Sequence, residues 1–156
     1  MKSWAGYILA VLGFVIYGAA TNADRDSTGA IVGEGSDDAF QVQVGDCFND
    51  ASMDFEEISN VAGVPCSEPH DNETYALVGL TIADYPGADE MGELANDSCM
   101  EEFAGFVGKD YESSTLDILT MYPSADSWKQ DDHEVICAVY DMNIEKLVGT
   151  TKDSGL

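Results

Sequence analysis

Four cysteines, Cys47, Cys66, Cys99 and Cys137, follow a single N-terminal apolar segment, and that combination constrains the fold more than any other feature. Trp4 to Tyr17 is almost wholly apolar and runs into Gly18, Ala19 and Ala20. A chain that begins this way is delivered to or through a membrane. An even number of cysteines beyond the membrane then reads as a disulfide framework rather than as reduced thiols.

Residues 4–20 make a helix of about 26 Å, at the short end for a bilayer span and the long end for a cleavable signal. Lys2 and the N-terminal amine are the only positive charges before it, which puts the N-terminus in the cytoplasm and the domain outside. Trp4, Tyr7 and Tyr17 sit near its two ends like interfacial aromatics, so the segment reads as a retained single-pass anchor. The alternative is secretion after cleavage beside Gly18-Ala19-Ala20 or Thr21-Asn22-Ala23.

All 30 acidic residues lie beyond Asn22, against five basic ones, and the whole chain carries a net charge of −24. A field of that sign repels phosphate backbones, so nucleic acid is excluded as a partner. Weak divalent-cation binding stays open. The doublets Asp37-Asp38, Asp89-Glu90 and Asp131-Asp132 lack the alternating-oxygen loop of a calcium site, and they read first as solvated surface.

Three parts follow: an anchor or signal segment over 1–21, an acidic flexible linker over 22–38, and an extracytoplasmic domain over 39–156. The linker is rich in Asp, Ser, Gly, Thr and Glu, too poor in apolar surface to offset ordering entropy. In the domain, Phe40, Val42 and Val44 alternate with glutamines as a half-buried strand that runs into Cys47. Phe55 to Val64 is looser, Glu73 to Ile82 reads as a central strand, and Asp84 to Gly87 as a turn. Met91, Leu94, Ala95, Cys99, Met100, Phe103, Phe106 and Val107 recur at helical spacing, with Gly108 as the stop. Strands are expected over Leu116 to Tyr122 and Val135 to Tyr140, with one more around Lys146 to Thr151. The fold class is α+β: a small, mostly antiparallel sheet, one main helix packed on it, and two disulfides. Cys47 and Cys66 bracket a short excursion, while Cys99 faces the core from the helix above the strand of Cys137. Of the three pairings that four cysteines allow, the expected one is Cys47–Cys66 and Cys99–Cys137.

Val64-Pro65-Cys66-Ser67-Glu68-Pro69-His70-Asp71 is the sharpest local string. Its prolines forbid helix and make a rigid loop, with Pro69, His70 and Asp71 as the candidate functional loop. His70 oriented by Asp71 is a conceivable base, but no nucleophile or metal partner stands at a defined spacing, and the loop reads first as a support for Cys66. Cys66 with His70 and His133 with Cys137 resemble two halves of a zinc site. Disulfides take precedence, because residues four apart on a strand lie about 13 Å from each other. No catalytic, cofactor or metal residue is assigned. Asn72-Glu73-Thr74 and Asn96-Asp97-Ser98 match the glycosylation pattern.

Val44-Gly45-Asp46-Cys47-Phe48, Val64 to Glu73, Tyr85-Pro86-Gly87, the helix with Cys99, Leu116-Asp117 to Trp128, Val135-Ile136-Cys137 and Lys146 to Thr150 together resemble the septum formation domain of actinobacteria. That resemblance implies an exported or membrane-anchored envelope protein with a link to division septa. It attaches no catalytic residues. The chain departs from the pattern at Asp132-His133-Glu134, where relatives place Gly-Asp-Arg. The resulting expectation is a non-enzymatic domain acting through contacts with envelope or division proteins. A secreted wall-acting enzyme and a divalent-cation-binding module are the alternatives. With the anchor retained, protease added to wall-stripped cells should digest the domain while cytoplasmic markers survive; protection of the domain would overturn that topology.

Overall fold

The computed structural model describes residues 22–50 and 60–156. Among them no helix is long and apolar enough to cross a membrane, and the expected anchor over 4–20 lies outside the described residues. The architecture is α+β, with antiparallel sheets, one main helix and two disulfides.

Among the described residues eight strands form: β1 (Asp24–Arg25), β2 (Ile31–Gly33), β3 (Gly35–Asp38), β4 (Cys47–Asn49), β5 (Asn60–Val64), β6 (Asn72–Gly79), β7 (Leu116–Met121) and β8 (Glu134–Asp141). β1 and β2 pair with each other, and the other six make one sheet in the order β3-β5-β4-β6-β8-β7. The main helix α1 (Ala88–Val107) packs on one face of it, and a short α2 (Ala125–Trp128) follows β7.

β6 sits centrally because Thr74, Tyr75 and Ala76 are all buried, and a bulge between Thr74 and Ala76 inserts Tyr75 as an extra residue. The bulge directs Tyr75 onto α1, where its hydroxyl donates to the Cys99 carbonyl at 2.7 Å. Its ring meets Phe103 edge-on with centroids 5.9 Å apart. Cys99 is bonded to Cys137 of β8, so helix and sheet are joined by covalent bond, hydrogen bond and aromatic packing at one level. Phe103, Val107, Leu116, Val135 and Val139 complete this core. A second apolar cluster, with Val42, Phe48, Val61, Ile136 and Ala138, lies on the opposite face. α1 ends at Gly108, left-handed at φ 80°, as its sequence implies.

The segment 22–38, expected as a flexible linker, is structured instead. Ala23 and Ile31 are buried, and both pack where Gly63 of β5 carries no side chain; a Cβ there would sit 2.9 Å from Ile31 Cδ1 and 3.2 Å from Ala23 Cβ. Its polar composition is reconciled by an internal ion pair described below. The strand expected over Phe40 to Val44 is also corrected. Ala39–Gln41 is a 3-10 turn, and the Asp46 carboxylate accepts the Gln43 N–H at 2.7 Å, folding the chain into a turn ahead of Cys47. No strand spans Lys146 to Thr151; only a single bridge joins Leu147 to His70. The small helix α2 was not anticipated, although Ser124 and Ser127 form a capping box.

Ile144 holds φ 59° at the turn after β8 while remaining 75% exposed. A β-branched residue in the left-handed region stores about 1–2 kcal/mol. Ile144→Asn should therefore raise stability by roughly 1 kcal/mol in denaturant unfolding, because Asn tolerates that region and no core contact is lost. A loss of stability would show that the turn is not strained.

Candidate functional site

The loop after Cys66 does not present a base to solvent. Cys66 is joined to Cys47, and Glu68 N–H donates to the Pro65 carbonyl at 2.9 Å, forming the rigid turn that the prolines imply. Pro69 is exposed, but His70 is fully buried. Its Nδ1 lies 2.8 Å from the Glu68 carbonyl, and among the described residues its Nε2 has no hydrogen-bond partner. Asp71 pairs with Lys146 at 2.7 Å and accepts the Asp50 N–H at 3.0 Å rather than orienting the imidazole. Asn72, of the first glycosylation pattern, is 2% exposed and donates to Asp50, so in the folded protein its amide is buried and engaged.

What this loop does hold is the C-terminal segment. His70 and Leu147 exchange backbone hydrogen bonds at 3.0 and 2.8 Å, and Gly149 N–H donates to the Cys66 carbonyl at 2.7 Å. Next to them lies a residue that the sequence did not single out. Glu73 is fully buried, and its carboxylate accepts from Thr150 Oγ1 at 2.5 Å, Thr151 N–H at 2.5 Å and Thr151 Oγ1 at 2.6 Å. The chain then reaches α1, where Asp153 N–H and Gly155 N–H donate to the Phe106 and Val107 carbonyls, free at a helix end. A lone acid opening an apolar strand was the only available signal for Glu73.

The two histidines and two cysteines that resembled a zinc site are not brought together. Cys66 and Cys137 belong to different disulfides. His133 stacks on Trp128 with ring centroids 3.9 Å apart, and Tyr85 lies on the same indole at 6.1 Å.

Two charged clusters organise the surface layer. Arg25 grips Asp46 with two bonds of 2.8 and 2.7 Å, and it also pairs with Asp37. The Asp46 bonds raise the Arg25 pKa, and Asp37 and Asp46 are buried with it. At the other end, Tyr111 and Tyr140 both donate to Asp117, at 2.7 and 3.0 Å. Burial pushes Asp117 up, but the Tyr111, Ile118 N–H and Tyr140 hydrogen bonds outweigh it and hold the carboxyl below its usual range. The bond to Asp117, reinforced by burial, pushes Tyr111 to about 12.

An open concavity with mixed chemistry lies beside α1. A cleft of about 430 Å³ has Ile82, Pro86 and Leu94 as its apolar part, and Asp84, Glu90, Glu93 and Asp97 around them. The Tyr85-Pro86-Gly87 turn places Pro86 against the first turns of the helix, whose outward face carries the acids. A lining that mixes apolar side chains with carboxylates is chemistry suited to a recognition surface.

Residues 16–137 match the family model described as septum formation. No curated protein matches the chain, and no solved structure matches it.

The tyrosine–carboxylate cluster sets a pH dependence. The Asp117 pKa is depressed in the fold, so its contribution is present above the unfolded carboxyl range and is lost as pH falls through the folded value. The Tyr111 pKa is raised, so its contribution is present below 10.0 and is lost as pH rises through about 12. Asp117→Asn should return Tyr111 toward 10.0, read as tyrosinate absorbance against pH. An unchanged titration would mean that the carboxylate is not what holds the phenol.

Proposed function

The chain belongs to the septum formation family, a membership that ties it to the making of division septa, and on that premise we propose that it is a non-enzymatic envelope domain. In this reading the N-terminal segment tethers it to the outer face of the plasma membrane, and it serves septum or wall assembly by binding another protein. The observation that carries the reading is the cleft on α1. Four carboxylates around three apolar residues suit a segment that offers lysine or arginine together with an aliphatic or aromatic side chain. The carboxylates contribute chiefly to encounter rate and partner choice, and the apolar side chains to residence time.

The two disulfides accord with an oxidising, extracytoplasmic setting. The enzymatic alternative, a wall-acting hydrolase using His70, has less support. A general base must come within hydrogen-bond reach of the proton it removes, and His70 is wholly buried beneath the C-terminal segment.

The test is crosslinking and affinity purification from dividing cells with Glu90→Lys/Glu93→Lys set against the native chain. Both glutamates are exposed on α1, and with Glu90 in its first turn the double reversal should cost no more than about 1 kcal/mol. Division proteins should co-purify with the native chain and be lost with the charge-reversed one, and their capture should weaken as salt rises. Unchanged capture by the variant would remove the cleft from the reading. Cleavage of wall polymer by the native protein, lost in His70→Ala, would replace it with the enzyme.

A further inference from the structure

The two disulfides occupy different surroundings. Cys99–Cys137 is enclosed by the main core, both residues at 0% exposure. Cys47–Cys66 has one buried member and one half-buried one, and Glu73 stands beside it. The sulfurs of Cys47 and Cys66 and a Glu73 carboxylate oxygen all lie within 4.8 Å of one another.

Backbone pairing ties this trio together alongside the S–S bond. Cys47 on β4 is registered opposite both Glu73 on β6 and Val64 on β5. Cys66 follows Val64 by two residues, through Pro65, and its carbonyl is bonded to Gly149 N–H. Glu73 is oriented by the Thr150 and Thr151 donors, the outer-shell support that ligating carboxylates ordinarily have.

We propose that opening Cys47–Cys66 turns this corner into a divalent-metal site, with two thiolates and the Glu73 carboxylate as ligands. Two thiolates select a thiophilic ion, and zinc at about 2.3 Å from each sulfur would set the sulfurs roughly 3.7 Å apart. That separation suits sulfurs released from a bond but still held by the strands. The half-buried side of Cys66 is the entry path and leaves the fourth position to water. Opening requires a reductant, a dithiol or a phosphine in water: the S–S bond takes two electrons and two protons, and the reductant becomes the disulfide or phosphine oxide. Metal binding then returns the two thiol protons to solvent. The site thus exists before oxidation or after reduction, and it goes beyond the α1 cleft, on which it does not depend.

The test uses the full-length chain in detergent, treated with a phosphine reductant and titrated with Zn²⁺ against a chromophoric chelator. Alkylation mapping should show Cys47 and Cys66 open while Cys99 and Cys137 stay joined, and circular dichroism should show the fold kept. One zinc should bind the reduced chain, and none should bind the oxidised chain at the same concentration. Cys66→Ser should weaken uptake at least about 100-fold and Glu73→Gln at least about 10-fold. Co²⁺ in place of zinc should give a thiolate charge-transfer band that Cys66→Ser diminishes. If Glu73→Gln does not fold, the half-buried Cys66→Ser carries the decision. The proposal is overturned by no uptake after reduction, by unfolding on reduction, or by uptake that Cys66→Ser leaves intact, which would place the ion on surface carboxylates.

Discussion

A carboxylate withdrawn from water is costly unless donors surround it, and Glu73 meets that condition with three hydrogen bonds from Thr150 and Thr151. Much of the molecule follows from that arrangement. The C-terminal segment is drawn across β6, over the Cys66–His70 loop, and on to the end of α1, where its amides satisfy carbonyls that the helix leaves free. Removing the carboxylate would leave the threonine donors unmet, and removing the threonines would leave buried carboxylate oxygens without donors. The pair therefore stabilises the fold mainly through how much its disruption costs.

The helix itself is fixed from the other side. Cys99–Cys137, the Tyr75 hydroxyl on the Cys99 carbonyl, and the ring contacts with Phe103 and Phe106 lie at one level between sheet and helix. In the chain-entropy model, disulfides closing loops of 19 and 38 residues contribute about 3 and 4 kcal/mol. A helix held this firmly by its inner face can carry an outer face chosen for another purpose. On α1 that face is acidic and borders the cleft with Ile82, Pro86 and Leu94.

Charge is handled locally as well as globally. A net charge of −24 repels itself, yet Asp37 and Asp46 are buried on the single guanidinium of Arg25. That one cation ties the segment 22–38 to the turn before Cys47 despite its polar composition, and Ala23 and Ile31 are buried on Gly63.

Sequence by itself determined the α+β class, the helix from its three- and four-residue apolar spacing, its stop at Gly108 and the central strand, because those patterns are local and periodic. Four cysteines allow three pairings, and the structure shows the expected one, in which one pair brackets a short excursion and the other joins the apolar stripe of the helix to an apolar strand. Only the tertiary structure decided that residues 22–38 are structured, that Val42 to Asp46 turn rather than extend, that His70 is buried, and that Glu73 is an anchor. The reason is separation along the chain. Arg25 and Asp46 stand 21 residues apart, and Glu73 and Thr151 stand 78 apart. No local pattern encodes whether such distant polar groups will meet, and it is their meeting that makes burial of either one favourable.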